Sequence, residues 1–209
     1  MTLLMPPLAN TLVDLFVKGG PIMWPIATVA LFAIAIVVER FWWWLQLARN
    51  RNPSLLDSVL SALEEGKAQD ALKLCEGSDD PVLRVISAGI THRHASLQGA
   101  LQAAAGIEIK RAGRFLTAID TIITLAPLLG LLGTVTGIMG SFSSIGGSEL
   151  AVEKVTGGIG EALIATAFGL GIAIITLIPY NWFNSKVASL QHDIEIAANN
   201  VEVFTAQKP

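Results

Sequence analysis

Charge is what this chain has least of: Asp, Glu, Lys and Arg make up 15% of its 209 residues, against about 25% in an ordinary globular domain. The few basic residues form no stripe and the formal net charge is -3, which excludes the electrostatic footprint that nucleic acid demands. There is one cysteine, Cys75, so no intramolecular disulfide exists, and no CxxC or Cys/His spacing points to metal or redox chemistry; Cys75 reads as a small buried apolar residue. P-loop, GxSxG and HExxH motifs are all missing. His92 and His94 are two apart and point to different faces of a helix, so they read as helix surface rather than metal ligands. No internal repeat is found. Neither an enzyme, a cofactor nor a metal site is expected.

What remains is apolar. With 52% hydrophobic residues and a mean hydropathy of +0.58, the chain reads as an integral membrane protein. The apolar character falls in three stretches, predicting transmembrane helices over 23–45, 119–143 and 157–183. No basic segment precedes the first and no small-residue cleavage site follows it, so an uncleaved anchor is expected rather than a signal peptide. Arg40, Arg49 and Arg51 follow the first span, Lys110, Arg111 and Arg114 precede the second, and Lys186 follows the third, whereas Lys18 and Lys154 alone mark the other side. By the positive-inside rule the N-terminal segment 1–22 and the turn 144–156 are periplasmic, while 46–118 and the C-terminal helix and tail 184–209 are cytoplasmic. Trp24 on one side, and Trp42, Trp43, Trp44, Tyr180 and Trp182 on the other, stand where interfacial aromatic belts form.

The cytoplasmic stretch is too short for an independent enzyme domain of ordinary size. It reads as short helices punctuated by Pro53, Gly66, Gly77 and Pro81, followed from Ser96 by a helix expected to run unbroken into the second span. The fold class is all-α: three transmembrane helices, with long helices extending into the cytoplasm.

Gly130, Gly133, Gly137 and Gly140 recur at steps of three and four along the second span, a narrow groove that lets another helix approach closely. In the third span Ala165, Gly169 and Ala173 follow Glu161 at steps of four. Three helices alone wall off a polar interior poorly, so oligomerisation is expected. Thr134 and Ser141, seven apart, lie within about 20° of each other around the second span, with Thr136 off that line; they either bond back to carbonyls of their own helix or line a wet face. Glu161 stands at the head of a run from Ala162 to Ser185 that holds no charge. A charge at a helix centre costs about 2.5 to 3.5 kcal/mol on insertion scales, so its carboxyl is expected to face protein or water. Yet it lies about 32 Å from Trp182 at 1.5 Å per residue, near the outer edge of the hydrocarbon core, where an interfacial carboxylate marking the helix start is the alternative. Glu39 and Asp120 sit at span ends and read as interfacial charges paired with Arg40 or Arg114.

The stretch "LAPLLGLLGTVTGIMGSF", Leu125 to Phe142, followed by "GIGEALIATAFGLG", Gly158 to Gly171, resembles the paired signature of the MotA/TolQ/ExbB proton-channel family and is closest to its ExbB branch. The topology agrees across nearly the whole chain; the extended cytoplasmic domain and fourth span of flagellar MotA proteins are missing. The resemblance implies that Thr134, Glu161 and Thr166 face a central lumen and that Pro127 corresponds to the family's proline in the second span. It implies a bacterial inner-membrane ring of five subunits enclosing an ExbD-like dimer, with protons driving work on a TonB-like protein for outer-membrane uptake. A TolQ-like role in envelope maintenance and division is the alternative within the family, and a passive oligomeric membrane scaffold is the alternative outside it. Thr166 lies about 140° around an ideal helix from Glu161, so the resemblance and not the periodicity places both on one lumen.

Overall fold

The structure, a computed structural model, describes residues 8–143 and 150–206. The head of the turn expected over 144–156 therefore lies outside the described residues. Among those described, every element is a helix: α1 (Leu8–Lys18), α2 (Met23–Asn50), α3 (Pro53–Glu64), α4 (Ala68–Cys75), α5 (Pro81–Thr91), α6 (Arg93–Ala112), α7 (Leu116–Ser143) and α8 (Leu150–Ala206). Among the described residues three helical stretches are long and apolar enough to cross a membrane: Met23–Asn50, Ser96–Phe142, which includes the junction of α6 and α7, and Val155–Thr205. The contacts divide the chain into two compact units, one of residues up to Val38 with Thr117–Tyr180, the other of Glu39–Leu116 with Asn181 onward.

In the first unit the buried positions follow helical spacing. Met23, Ile26 and Ala33 on α2, Ile119, Ile122 and Ala126 on α7, and Ala162, Ala165 and Ala173 on α8 are all buried, and Met23, Ile26 and Ala165 share one cluster flanked by Leu129, Phe168 and Ile172. Opposite faces carry Phe32, Leu128, Met139, Ile175 and Ile178, all largely exposed. Apolar outside as well as inside is what a bilayer solvates, and in lipid the helices are held by close packing rather than by exclusion from water. The N-terminal segment, for which the sequence suggested no element, contributes α1. Its Phe16 ring meets Trp24 edge-on at 5.3 Å, and Gly19 N–H bonds the Leu15 carbonyl at 2.9 Å to close the helix.

In the second unit α3, α4, α5 and α6 pack in sequence around Val59, Leu63, Cys75, Leu83, Ile86 and Leu101. Pro53 and Pro81 each open a helix, behind Asn52 and Asp80, whose side chains accept from Leu55 N–H and Val82 N–H. This is the preferred order of cap and proline, because proline's missing N–H would have no helical partner there anyway. Asp80 is buried, also accepts from Asn52 N–H at 3.2 Å, and lies 3.9 Å from Arg51, which pairs with Asp193 of α8 at 2.6 Å.

The helix expected to run unbroken from Ser96 into the second span is interrupted. α6 closes with Gly113 N–H bonded to the Ile109 carbonyl at 2.9 Å, and Phe115 takes φ 66° before α7 begins. Gly113 caps α6, and Arg40 packs against the break: fully buried, it donates to the Arg111 carbonyl at 3.3 Å and lies over the rings of Trp43 and Phe115 at 5.0 and 5.7 Å. The Arg111 carbonyl also accepts from Arg114 N–H at 3.3 Å, and a guanidinium at the C-terminal end of a helix matches the helix dipole. Glu39 neutralises it through two contacts of 2.5 and 2.7 Å, as its span-end position suggested. Asp120, by contrast, has no ion-pair partner among the described residues, and Arg114 lies over the Phe115 ring at 4.5 Å. The third span and the C-terminal helix form one 57-residue element, α8, with Pro179 inside it.

Candidate functional site

Glu161 is half-buried on α8. Its carboxylate reaches the turn between α1 and α2, where Gly20 has φ 71° and a Cβ would overlap the Glu161 Oε1 atom. Pro21 and Ile22 from that turn, Thr136, Gly137, Gly140 and Ser141 from α7, and Gly158 from α8 join Glu161 around a cleft of about 540 Å³. Among the described residues the carboxylate has neither a hydrogen bond nor an ion pair. A fully buried, unpaired carboxylate costs several kcal/mol; the open cleft relieves that cost by leaving the group room for water.

The other polar atoms of the cleft already serve their own helix. Thr136 Oγ1 donates to the Leu132 and Gly133 carbonyls at 3.0 and 3.2 Å, and Ser141 Oγ donates to the Gly137 carbonyl at 2.8 Å. With their protons committed, these hydroxyls turn spare lone pairs outward as acceptors. The cleft therefore presents acceptors and one titratable group, with no fixed cation among the described residues to hold the carboxylate in one state.

Thr134 and Thr166, expected to face a central lumen together with Glu161, are not among the residues that line this cleft. Thr134 is half-buried and bonds back to the Leu131 carbonyl at 2.6 Å. Thr166, also half-buried, donates across to the Gly130 carbonyl of α7 at 2.9 Å. Pro127 stands inside α7, where it leaves the carbonyl one turn earlier without its helical donor.

The small residues bring α7 and α8 together within the chain. A Cβ at Gly130 would stand 2.9 Å from Thr166 Cα, one at Gly133 2.6 Å from Ala165 Cβ, one at Gly137 3.0 Å from the Gly158 carbonyl, and one at Gly169 2.5 Å from the Ala126 carbonyl. The groove read from the sequence as an invitation to another helix is thus filled by α8 of the same chain. Gly140 differs: it borders the cleft, and no described atom lies within 4 Å of a Cβ placed there. Gly20, Pro21 and Ile22 were missed by sequence reasoning. The signal was present as Lys18-Gly19-Gly20-Pro21, a helix stop with a left-handed glycine followed by proline, but nothing in it points to a carboxylate 141 positions later.

Comparison with known proteins agrees with the two motifs. Residues 78–196 match the MotA/TolQ/ExbB proton channel family. The chain is 38% identical over 173 residues to the ExbB-like 3 biopolymer transport protein of Synechocystis sp., covering 80% of this chain and 82% of that one. It is 30% identical over 190 residues to an ExbB homolog of Methanothermobacter thermautotrophicus, covering 90% and 68%. Over 89 residues it is 40% identical to the biopolymer transport protein ExbB of Neisseria gonorrhoeae, covering 42% and 40%.

Proposed function

The chain belongs to the MotA/TolQ/ExbB proton channel family, and from that premise we propose that it is the channel and stator subunit of an inner-membrane motor in which proton flow does mechanical work. The observation that carries the reading is Glu161: a carboxylate at the head of a charge-free run, in a cleft of hydroxyls and glycines, without an ion-pair partner among the described residues. A proton falling through the membrane potential releases ~2.3 kcal/mol per 100 mV. Five subunits would form the ring, with an ExbD-like dimer inside whose motion passes to a TonB-like protein; Thr134 and Thr166 are the further polar positions proposed for the pathway. The N-terminus lies outside and the C-terminus inside on this reading. The ExbB names of the relatives favour the uptake branch over the TolQ-like one.

The test is Glu161→Gln, which keeps size and hydrogen-bonding reach but removes the titratable charge. Assembly and protein level should hold while proton-dependent uptake collapses, and Glu161→Asp should keep part of the activity. Normal uptake by a well-assembled Gln variant would refute the role and favour the passive scaffold.

A further inference from the structure

The α1–α2 turn does more than join two helices. Gly19 N–H closes α1 on Leu15, Met23 N–H returns to the Gly20 carbonyl at 3.1 Å, and Trp24 N–H returns to the Pro21 carbonyl at 3.3 Å. The turn is thus hydrogen-bonded on both sides of Gly20, and Pro21 restricts it further through its fixed φ. Ile22 anchors it, lying where a Cβ at Gly133 would meet its Cγ2 at 2.9 Å. The Gly20 Cα is therefore held in place from three directions, and the Glu161 carboxylate rests directly against it.

We infer that Gly20 is a positioning residue for Glu161: its bare Cα is the surface against which the carboxylate is seated, and its left-handed backbone presents that surface. Two independent requirements meet at one position. A φ of 71° disfavours any side chain, and a Cβ would occupy the space of Glu161 Oε1. Among the described residues no hydrogen bond or ion pair orients the carboxylate, so this steric seat is what limits where it points in the cleft. Through the turn, the N-terminal helix α1 gains a mechanical connection to the titratable group, and a displacement of α1 moves the seat. The inference takes the role of Glu161 from the proposed function, but the contact itself is tested separately.

Gly20→Ala introduces both the collision and the backbone strain. Gly77 supplies the control, because it has a similar φ of 75° and nothing within 4 Å of a Cβ, so Gly77→Ala introduces strain without a collision. The full chain in native membranes is compared by infrared spectroscopy, with the Glu161 carboxyl band identified by its loss in Glu161→Gln. The band should move in Gly20→Ala and stay in place in Gly77→Ala. Uptake should fall about tenfold in Gly20→Ala, and shortening the acid in the same background, Gly20→Ala with Glu161→Asp, should recover several-fold, as expected for two residues in direct contact. If Gly20→Ala fails to accumulate, Gly20→Asn carries the same test, since Asn tolerates the left-handed region while still bearing a Cβ. An unmoved band, or a double variant no better than Gly20→Ala alone, overturns the inference. Should Glu161→Gln prove fully active, the proton-pathway reading fails while the band shift still decides the contact.

Discussion

The hydroxyl of Thr166 donates to the backbone carbonyl of Gly130, 2.9 Å away on the neighbouring helix. That carbonyl is reachable because Gly130 has no side chain and Gly169 lets the two backbones close to where a Cβ would strike the Ala126 carbonyl.

Thr166→Val keeps the shape and removes the bond. Bonds of this kind between membrane helices average about 0.6 kcal/mol with a ceiling near 1.7, so thermal unfolding in detergent should shift downward by a few degrees. Thr134→Val, which removes a hydroxyl bonded to the Leu131 carbonyl of its own helix, should leave stability nearly unaltered. Equal losses in both would show that the cross-helix bond contributes nothing.

Gly169→Ala forces a methyl onto backbone atoms at 2.5 and 3.1 Å, which cannot rotate away as a side chain can. A destabilisation of about 1–3 kcal/mol is expected from overpacking. Gly106→Ala, in exposed helix with nothing within 4 Å, should instead stabilise by up to about 1 kcal/mol through helix propensity. Parallel chemical-denaturation curves measure both.

Arg40→Lys tests the corner between α6 and α7. Lysine keeps the charge but loses the planar fork that engages Glu39 and the Arg111 carbonyl and lies over two rings. With Glu39 about half-exposed, solvent screens part of the ion pair, so a loss of about 1–2 kcal/mol is expected. Limited proteolysis should show new cleavage near Phe115.

Cys75 is buried, and burial pushes its thiol up to about 11. The thiolate is the nucleophile, so maleimide should react far more slowly with the folded protein than with the unfolded chain at neutral pH. Because the folded state holds the proton more tightly, the thiol's contribution to stability is intact below the ordinary thiol range and is lost as pH rises through about 11. A stability profile that rises over that alkaline window would contradict the assignment.

The orientation proposed from basic residues predicts that single cysteines at Ser144 or Ser148, in a Cys75-free background, react with membrane-impermeant reagents added from outside. Cysteines near Lys67 should stay protected. The opposite labelling pattern would invert the topology.

How much of this could be read beforehand follows the range of the interactions involved. Apolar run length is a local property, so three long apolar helices were legible, as was the paired motif carrying Glu161. The glycine spacing was legible as close packing but not as packing of α7 onto α8 of the same chain, because a groove does not name its occupant. The α6–α7 break was missed: local propensity from Ser96 onward favours helix, Gly113 is a single stop signal within it, and the Arg40 contact on the Arg111 carbonyl comes from 71 residues earlier.

Membrane residence, helical class and family membership were therefore determined by the sequence alone, since each rests on composition or on contiguous motifs whose meaning survives without coordinates. Which atoms stand against Glu161 was decided only by the tertiary structure. Gly20 comes from the α1–α2 turn and Thr136 from α7, and the carboxylate meets a bare Cα because a left-handed turn, fixed by its own hydrogen bonds, happens in three dimensions to end beside it.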